Sequence, residues 1–217
     1  MTPAHMIFIP TVFLLGVLAG LLLTSRRTGG LPVLLTLGLA LGTFGITHLT
    51  ELPIGAGAVA AATGGAPLFD QSPSFQASDV LERIELFGSR GREAYLLETY
   101  TGDVLFPLTL LAFLLTLGRF AASQMQPAAW RHLFRIIPLA WFAIDMLENG
   151  MIHALLLGYP APSQLLAALL GPVTTAKFVL LAVSIFGPLL VLGRTIPRQR
   201  TSSNTKPSPD AQLPAKT

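Results

Sequence analysis

Apolar residues in this chain come in long, nearly uninterrupted runs separated by short polar stretches. Five runs stand out, at about residues 6–24, 31–49, 104–118, 136–157 and 165–192. A helix rising 1.5 Å per residue needs about 20 apolar residues to cross a bilayer, and these runs approach or reach that length. The third is short, which puts Tyr100, Asp103 and Arg119 at the interfaces. The fifth is long enough to tilt or to extend beyond the membrane, and Pro172 and Pro188 are its predicted kink points. The pattern predicts an all-α fold. Residues 1–196 form a five-span transmembrane helix bundle, and residues 197–217, rich in Pro, Ser, Thr and Lys, form a disordered tail.

Between the second and third runs lies one large polar segment, residues 50–103. Its first part, PIGAGAVAAATGGAPLFDQSPS, reads as a connection whose apolar middle lies along the membrane surface. Further on, Asp79 and Glu82 have the spacing of a capping box that opens a helix. Val80, Ile84 and Phe87 then recur at helical spacing while Glu82, Arg83 and Glu85 face elsewhere. This predicts an interfacial amphipathic helix, broken near Gly88–Gly91, rather than a sixth span.

Composition agrees with a membrane location. Hydrophobic residues make up 52% and charged residues 12% of the 217 positions, about half the charge of a soluble domain. The mean hydropathy is +0.63. The absence of cysteine excludes disulfides and thiolate metal sites. The first run lacks a basic leader and a small-residue cleavage site, and Arg26 and Arg27 follow it, so it is predicted to be a retained span. Positive charge collects in one set of connections, in Arg26, Arg27, Arg119, Arg131, Arg135, Arg194, Arg198, Arg200, Lys206 and Lys216. The positive-inside rule then places the N-terminus outside and the tail in the cytoplasm of a multi-pass inner-membrane protein. This arrangement explains the pI of about 9.7 without a nucleic-acid partner. Gly16, Gly20, Gly38, Gly42 and Gly45 recur at spacings that let helices approach closely. Packing within the chain is the preferred reading of them, with a homo-oligomer left open and the lipid bilayer as the expected partner.

The fourth run breaks its own pattern with Asp145, Glu148, Asn149 and His153, which fall with Trp141 on one face within about 140° of arc. An ionisable group in hydrocarbon is costly, so these side chains should face the bundle and find partners. Counted from the outer helix ends, Glu148 lies about 15 Å deep, Asp145 about 20 Å and Lys177 of the fifth run about 18 Å. Asp145, Glu148 and Lys177 are therefore predicted to form one buried polar cluster with Asn149 and His153, in which one carboxyl holds a proton. Nearer the outer surface, His48, Glu51, Asp103 and Arg92 are predicted to form a vestibule. In it, His48 and Glu51 share a helix face, and Arg92 points toward Asp103 or Glu51.

Taken together, GSRGREAYLLETYTGDVLFP and AWFAIDMLENGM resemble a group of small bacterial multi-pass membrane proteins. The resemblance rests on Gly91, Arg92 and Tyr95; on Asp103, Phe106 and Pro107; on Asp145, Glu148 and Asn149; and on Lys177, across roughly residues 66–190. It implies a membrane location and no established activity.

Besides an assembly or chaperone role, three functional readings remain open from sequence. The cluster binds a small molecule, a lipid headgroup or a proton; it fixes helix register; or it serves a membrane-embedded acid–base enzyme acting on an apolar lipid. A metal site drawn from His48, Glu51, Asp103, Glu148 and His153 is disfavoured, because Glu148 and His153 lack the Glu-x-x-His spacing of a di-iron helix. No metal and no cofactor is expected. Nucleotide and hydrolase fingerprints are absent from the sequence.

Overall fold

The computed structural model of the chain describes residues 28–125 and 128–202. The predicted first span at 6–24, and the tail from 203 onward, lie outside the described residues. Every regular element described is an α-helix. In chain order these are α1 (Gly30–His48), α2 (Ala56–Ala62), α3 (Ala77–Leu86), α4 (Gly88–Tyr100), α5 (Gly102–Ser123), α6 (Ala128–Leu157) and α7 (Gln164–Ser202). Among the described residues, three stretches are long and apolar enough to cross a membrane: Gly30–His48, Gly88–Ser123 and Gln164–Arg194. Helix α6 has 30 residues, and its Asp145, Glu148, Asn149 and His153 lower the hydropathy that would otherwise place it with the others. Helix α5 is longer than its apolar run suggested, and α7 continues into the segment predicted to be disordered from 197.

Among the described residues, four long helices form the body. Helix α1 packs on α5, α5 on α6, and α6 on α7, with α7 returning to touch α5. The inward face of α1 is a stripe of Thr36, Ala40, Thr43 and Thr47, while Leu31, Leu34 and Leu41 face outward. The spacing of four, three and four residues keeps that stripe on one side of the helix. Small side chains let α1 approach α5 closely, and a hydroxyl pair at 2.6 Å, Thr43 to Thr109, ties the two. Such interhelical bonds contribute about 0.6 kcal/mol each in a bilayer.

Residues 50–101 fold into a cap on one end of this body. Phe69, Phe87 and Tyr95 form a triangle of rings with centroids 5.5 to 5.9 Å apart. Phe69 N–H donates to the Tyr95 hydroxyl at 3.2 Å inside it. Val80 and Ile84 of α3 join the same core, together with Ile152 and Leu155 of α6 and Leu170 of α7. The apolar face of α3 therefore meets protein; its exposed apolar side chains are Leu86 and, just before it, Phe75. The break between α3 and α4 comes at Gly88, whose φ of +63° is costly for any residue with a Cβ. The predicted capping box does not form. Helix α3 starts at Ala77, and Asp79 instead accepts from the hydroxyls of Ser74 (3.0 Å) and Ser78 (3.2 Å).

One close approach positions the cap. A Cβ on Gly171 of α7 would collide with the carbonyl of Ser74, so the segment 68–74 lies directly on α7. Arg83 holds the same segment from the other side by donating to the Ser72 carbonyl at 2.7 Å.

Candidate functional site

Helices α6 and α7, joined by the short turn 158–163, bring Asp145, Glu148 and Lys177 together. The Lys177 ammonium lies 3.4 Å from Asp145 Oδ1 and pairs with Glu148 Oε2. Thr174, one turn before Lys177, donates its hydroxyl to Glu148 Oε1. Relative exposures are 5% for Asp145, 0% for Glu148 and 9% for Lys177, so the ions have left solvent and hold each other. Glu148 is enclosed between Lys177 and Thr174, whereas Asp145 keeps one buried oxygen, Oδ2, without a hydrogen-bond partner.

The Asn149 contact follows from a proline. Pro107 stands inside α5 and has no N–H, so it cannot bond to the carbonyl four residues earlier, that of Asp103. Asn149 reaches across from α6 and donates its Nδ2 to that carbonyl at 2.6 Å. The side chain thus satisfies a backbone acceptor that hydrocarbon would leave stranded.

These groups form part of the wall of a cavity of about 650 Å³. Its polar lining is His48, Asp70, Gln71, Asp103, Asp145, Glu148, Asn149 and Lys177. Its apolar lining includes Phe44, Phe106, Pro107, Leu110, Trp141, Ile152, Phe178 and Leu181. The volume suits a small organic ligand, and a mostly apolar wall with a few converging polar groups is the usual composition of such sites. From Asp103 to Leu110 the cavity follows α5 for about 10 Å. Two further lining groups lack hydrogen-bond partners although buried: Asp70 Oδ1 and Trp141 Nε1. His48 is oriented by its neighbour. The Thr47 hydroxyl donates to the Thr43 carbonyl (2.9 Å), so the 2.7 Å contact with His48 requires Nδ1 of the ring to donate. That leaves Nε2 as the nitrogen not engaged with Thr47.

Three of the residues proposed from sequence lie outside this cavity. Glu51 does not share a helix turn with His48, because α1 ends at His48; Glu51 follows it as an exposed residue of the connection. Arg92 points toward neither Asp103 nor Glu51. Its guanidinium lies 3.7 Å from the Tyr159 ring centroid and donates to the Ile84 carbonyl at 3.2 Å, fastening α4 to α3 and to the α6–α7 turn. His153, on the edge of the α6 stripe, turns toward α4 and contacts the Tyr100 hydroxyl at 2.7 Å and the Thr99 hydroxyl at 3.3 Å. Five residues separate it from Glu148, a rotation of about 140° that carries it off the cluster's side. Of the predicted vestibule, His48 and Asp103 reach the cavity.

The structure adds Asp70, Gln71, Tyr95 and Thr174. Asp70 is the one charged residue in the segment 52–78, an isolation that marks it in hindsight. Thr174 precedes Lys177 by three positions and so shares its helix face. Among the described residues, no group of three His, Asp or Glu side chains is placed to hold a metal ion. No family model, curated protein or solved structure matches the chain.

Proposed function

We propose that this protein is a multi-pass inner-membrane protein that binds a small amphiphile within the bilayer. In this reading five spans cross the membrane, the N-terminus lies outside, the tail lies in the cytoplasm, and the cap of residues 50–101 sits at the outer interface. The excess of Arg in the connections 24–30 and 119–135 supports that orientation. Exposed Phe75 and Leu86 suit the cap to an interface.

One observation carries the functional reading. The cavity has buried polar atoms left without partners, Asp145 Oδ2, Asp70 Oδ1 and Trp141 Nε1, along a wall that is otherwise largely apolar. A cluster whose only task was to fix helix register would gain nothing from stranded groups, which cost about 1–3 kcal/mol each. The Glu148–Lys177–Thr174 part is satisfied internally and positions the helices; the Asp145 side faces the occupant. Mass spectrometry of the intact purified chain tests the reading. A small amphiphile should remain bound to the native protein, and Leu110→Trp, which fills the cavity from α5, should release it while the protein stays folded. Equal retention by both proteins would place the bound molecule on the outer surface and refute the cavity as its site.

A further inference from the structure

We infer that the cavity is selective for a cationic amphiphile: a protonated or quaternary amine carrying an apolar chain. This rests on the amphiphile reading and names the chemistry of the occupant's head.

Charge balance is the first ground. Asp70, Asp103, Asp145 and Glu148 line one cavity, and Lys177 is the one ammonium among them. Lys177 is already committed, 3.4 Å from Asp145 Oδ1, paired with Glu148, and 5.2 Å from the Phe178 ring centroid. An added anion would meet a surplus of carboxyls, and a neutral head would leave that surplus unanswered. A cation answers it, with Asp145 Oδ2 and Asp70 Oδ1 as buried acceptors that have no other partner.

Ring geometry is the second. Phe44, His48 and Phe106 form a cluster with centroid separations of 4.6, 5.4 and 5.0 Å. Trp141 and Phe178 line the cavity as well. Aromatic faces attract ammonium groups, most strongly when water is excluded. The Trp141 N–H, buried without a partner, remains for water or for an oxygen close to the same head.

The route follows from exposure. Phe44 on α1 and Phe178 on α7 line the cavity and are also exposed, at 36% and 46%. A chain leaving the cavity past either ring passes from carboxylates to an apolar flank, which is the order of groups in an amphiphile.

The test uses the full chain in phosphatidylcholine vesicles, with Trp130→Phe so that Trp141 is the only tryptophan. Three probes share one alkyl chain: dodecyltrimethylammonium, dodecanol and dodecanoate, at about pH 8 where the acid is ionised. Trp141 emission should change saturably with the cation, at a half-saturating concentration about tenfold or more below that of dodecanol. Asp145→Asn and Asp70→Asn should each raise that concentration for the cation and leave dodecanol unchanged. Asp70 stands on a connecting segment, so its variant keeps the test decisive if Asp145→Asn fails to fold. Equal affinity for cation and alcohol, tighter binding of dodecanoate, or cation binding indifferent to both aspartates would overturn the cation preference while leaving an amphiphile site standing. No saturable response to any probe would overturn both.

Discussion

Replacing Lys177 by Met removes the one cation from a cluster in which Glu148 is 0% and Asp145 5% exposed. The side chains have similar length, so packing changes little and the effect is electrostatic. Two carboxylates would then face each other in hydrocarbon, and breaking a buried pair of this kind typically costs about 3–5 kcal/mol. The variant should therefore lose about 3–5 kcal/mol, which reversible denaturation in detergent micelles measures. Asp145→Asn, Glu148→Gln and Lys177→Met combined should recover most of the loss, because no charge is stranded and the amide carbonyl introduced at position 148 still accepts from Thr174. A Lys177→Met protein as stable as the native one would refute the electrostatic account.

Single cysteines replacing Ser78, exposed on the cap, and Ser123, exposed at the end of α5, should label from opposite faces of the membrane, Ser78 from outside. Labelling of both from one face would contradict the proposed topology. Asn149→Leu strands the Asp103 carbonyl that Pro107 cannot satisfy, and should cost about 1–3 kcal/mol in the same denaturation assay; an unchanged midpoint would mean that another group replaces the amide. Gly171→Val drives a side chain into the Ser74 carbonyl and should detach the segment 68–74, exposing Phe69 to chymotrypsin, whereas the native residue is 1% exposed. Resistance equal to that of the native protein would show that the segment is not held by α7.

The long helices were legible because hydrocarbon allows few alternatives to an apolar helix, and four of the predicted runs overlap α1, α5, α6 and α7. The Asp145–Glu148–Lys177 contact was legible for a related reason: helical rise converts residue counts into depth, and groups at equal depth on neighbouring helices meet. Irregular backbone was harder to read. Glu51 was assigned to a helix face because an i, i+3 spacing does not reveal that α1 stops at His48. Arg92 was aimed at carboxylates, yet the Tyr159 ring and the Ile84 carbonyl hold it, contacts that depend on how the α6–α7 turn folds back. Asp70 was missed because its place depends on the segment 68–74 lying over the cavity, held by Arg83 and the Gly171 approach. The apolar spacing of α3 suited lipid and protein equally, and sequence periodicity does not distinguish the two.

Photo-crosslinking inside the bilayer tests the central claim most directly. An alkylammonium probe carrying a diazirine on its chain is incorporated into vesicles with the full protein, irradiated, and its adducts are mapped by peptide mass spectrometry. An amphiphile held in the cavity should place adducts on Leu110, Ile152 and Leu181, and excess unlabelled amphiphile should abolish them. Adducts confined to the outward-facing Leu34, Leu147 and Leu190, and indifferent to competitor, would contradict an occupied intramembrane site.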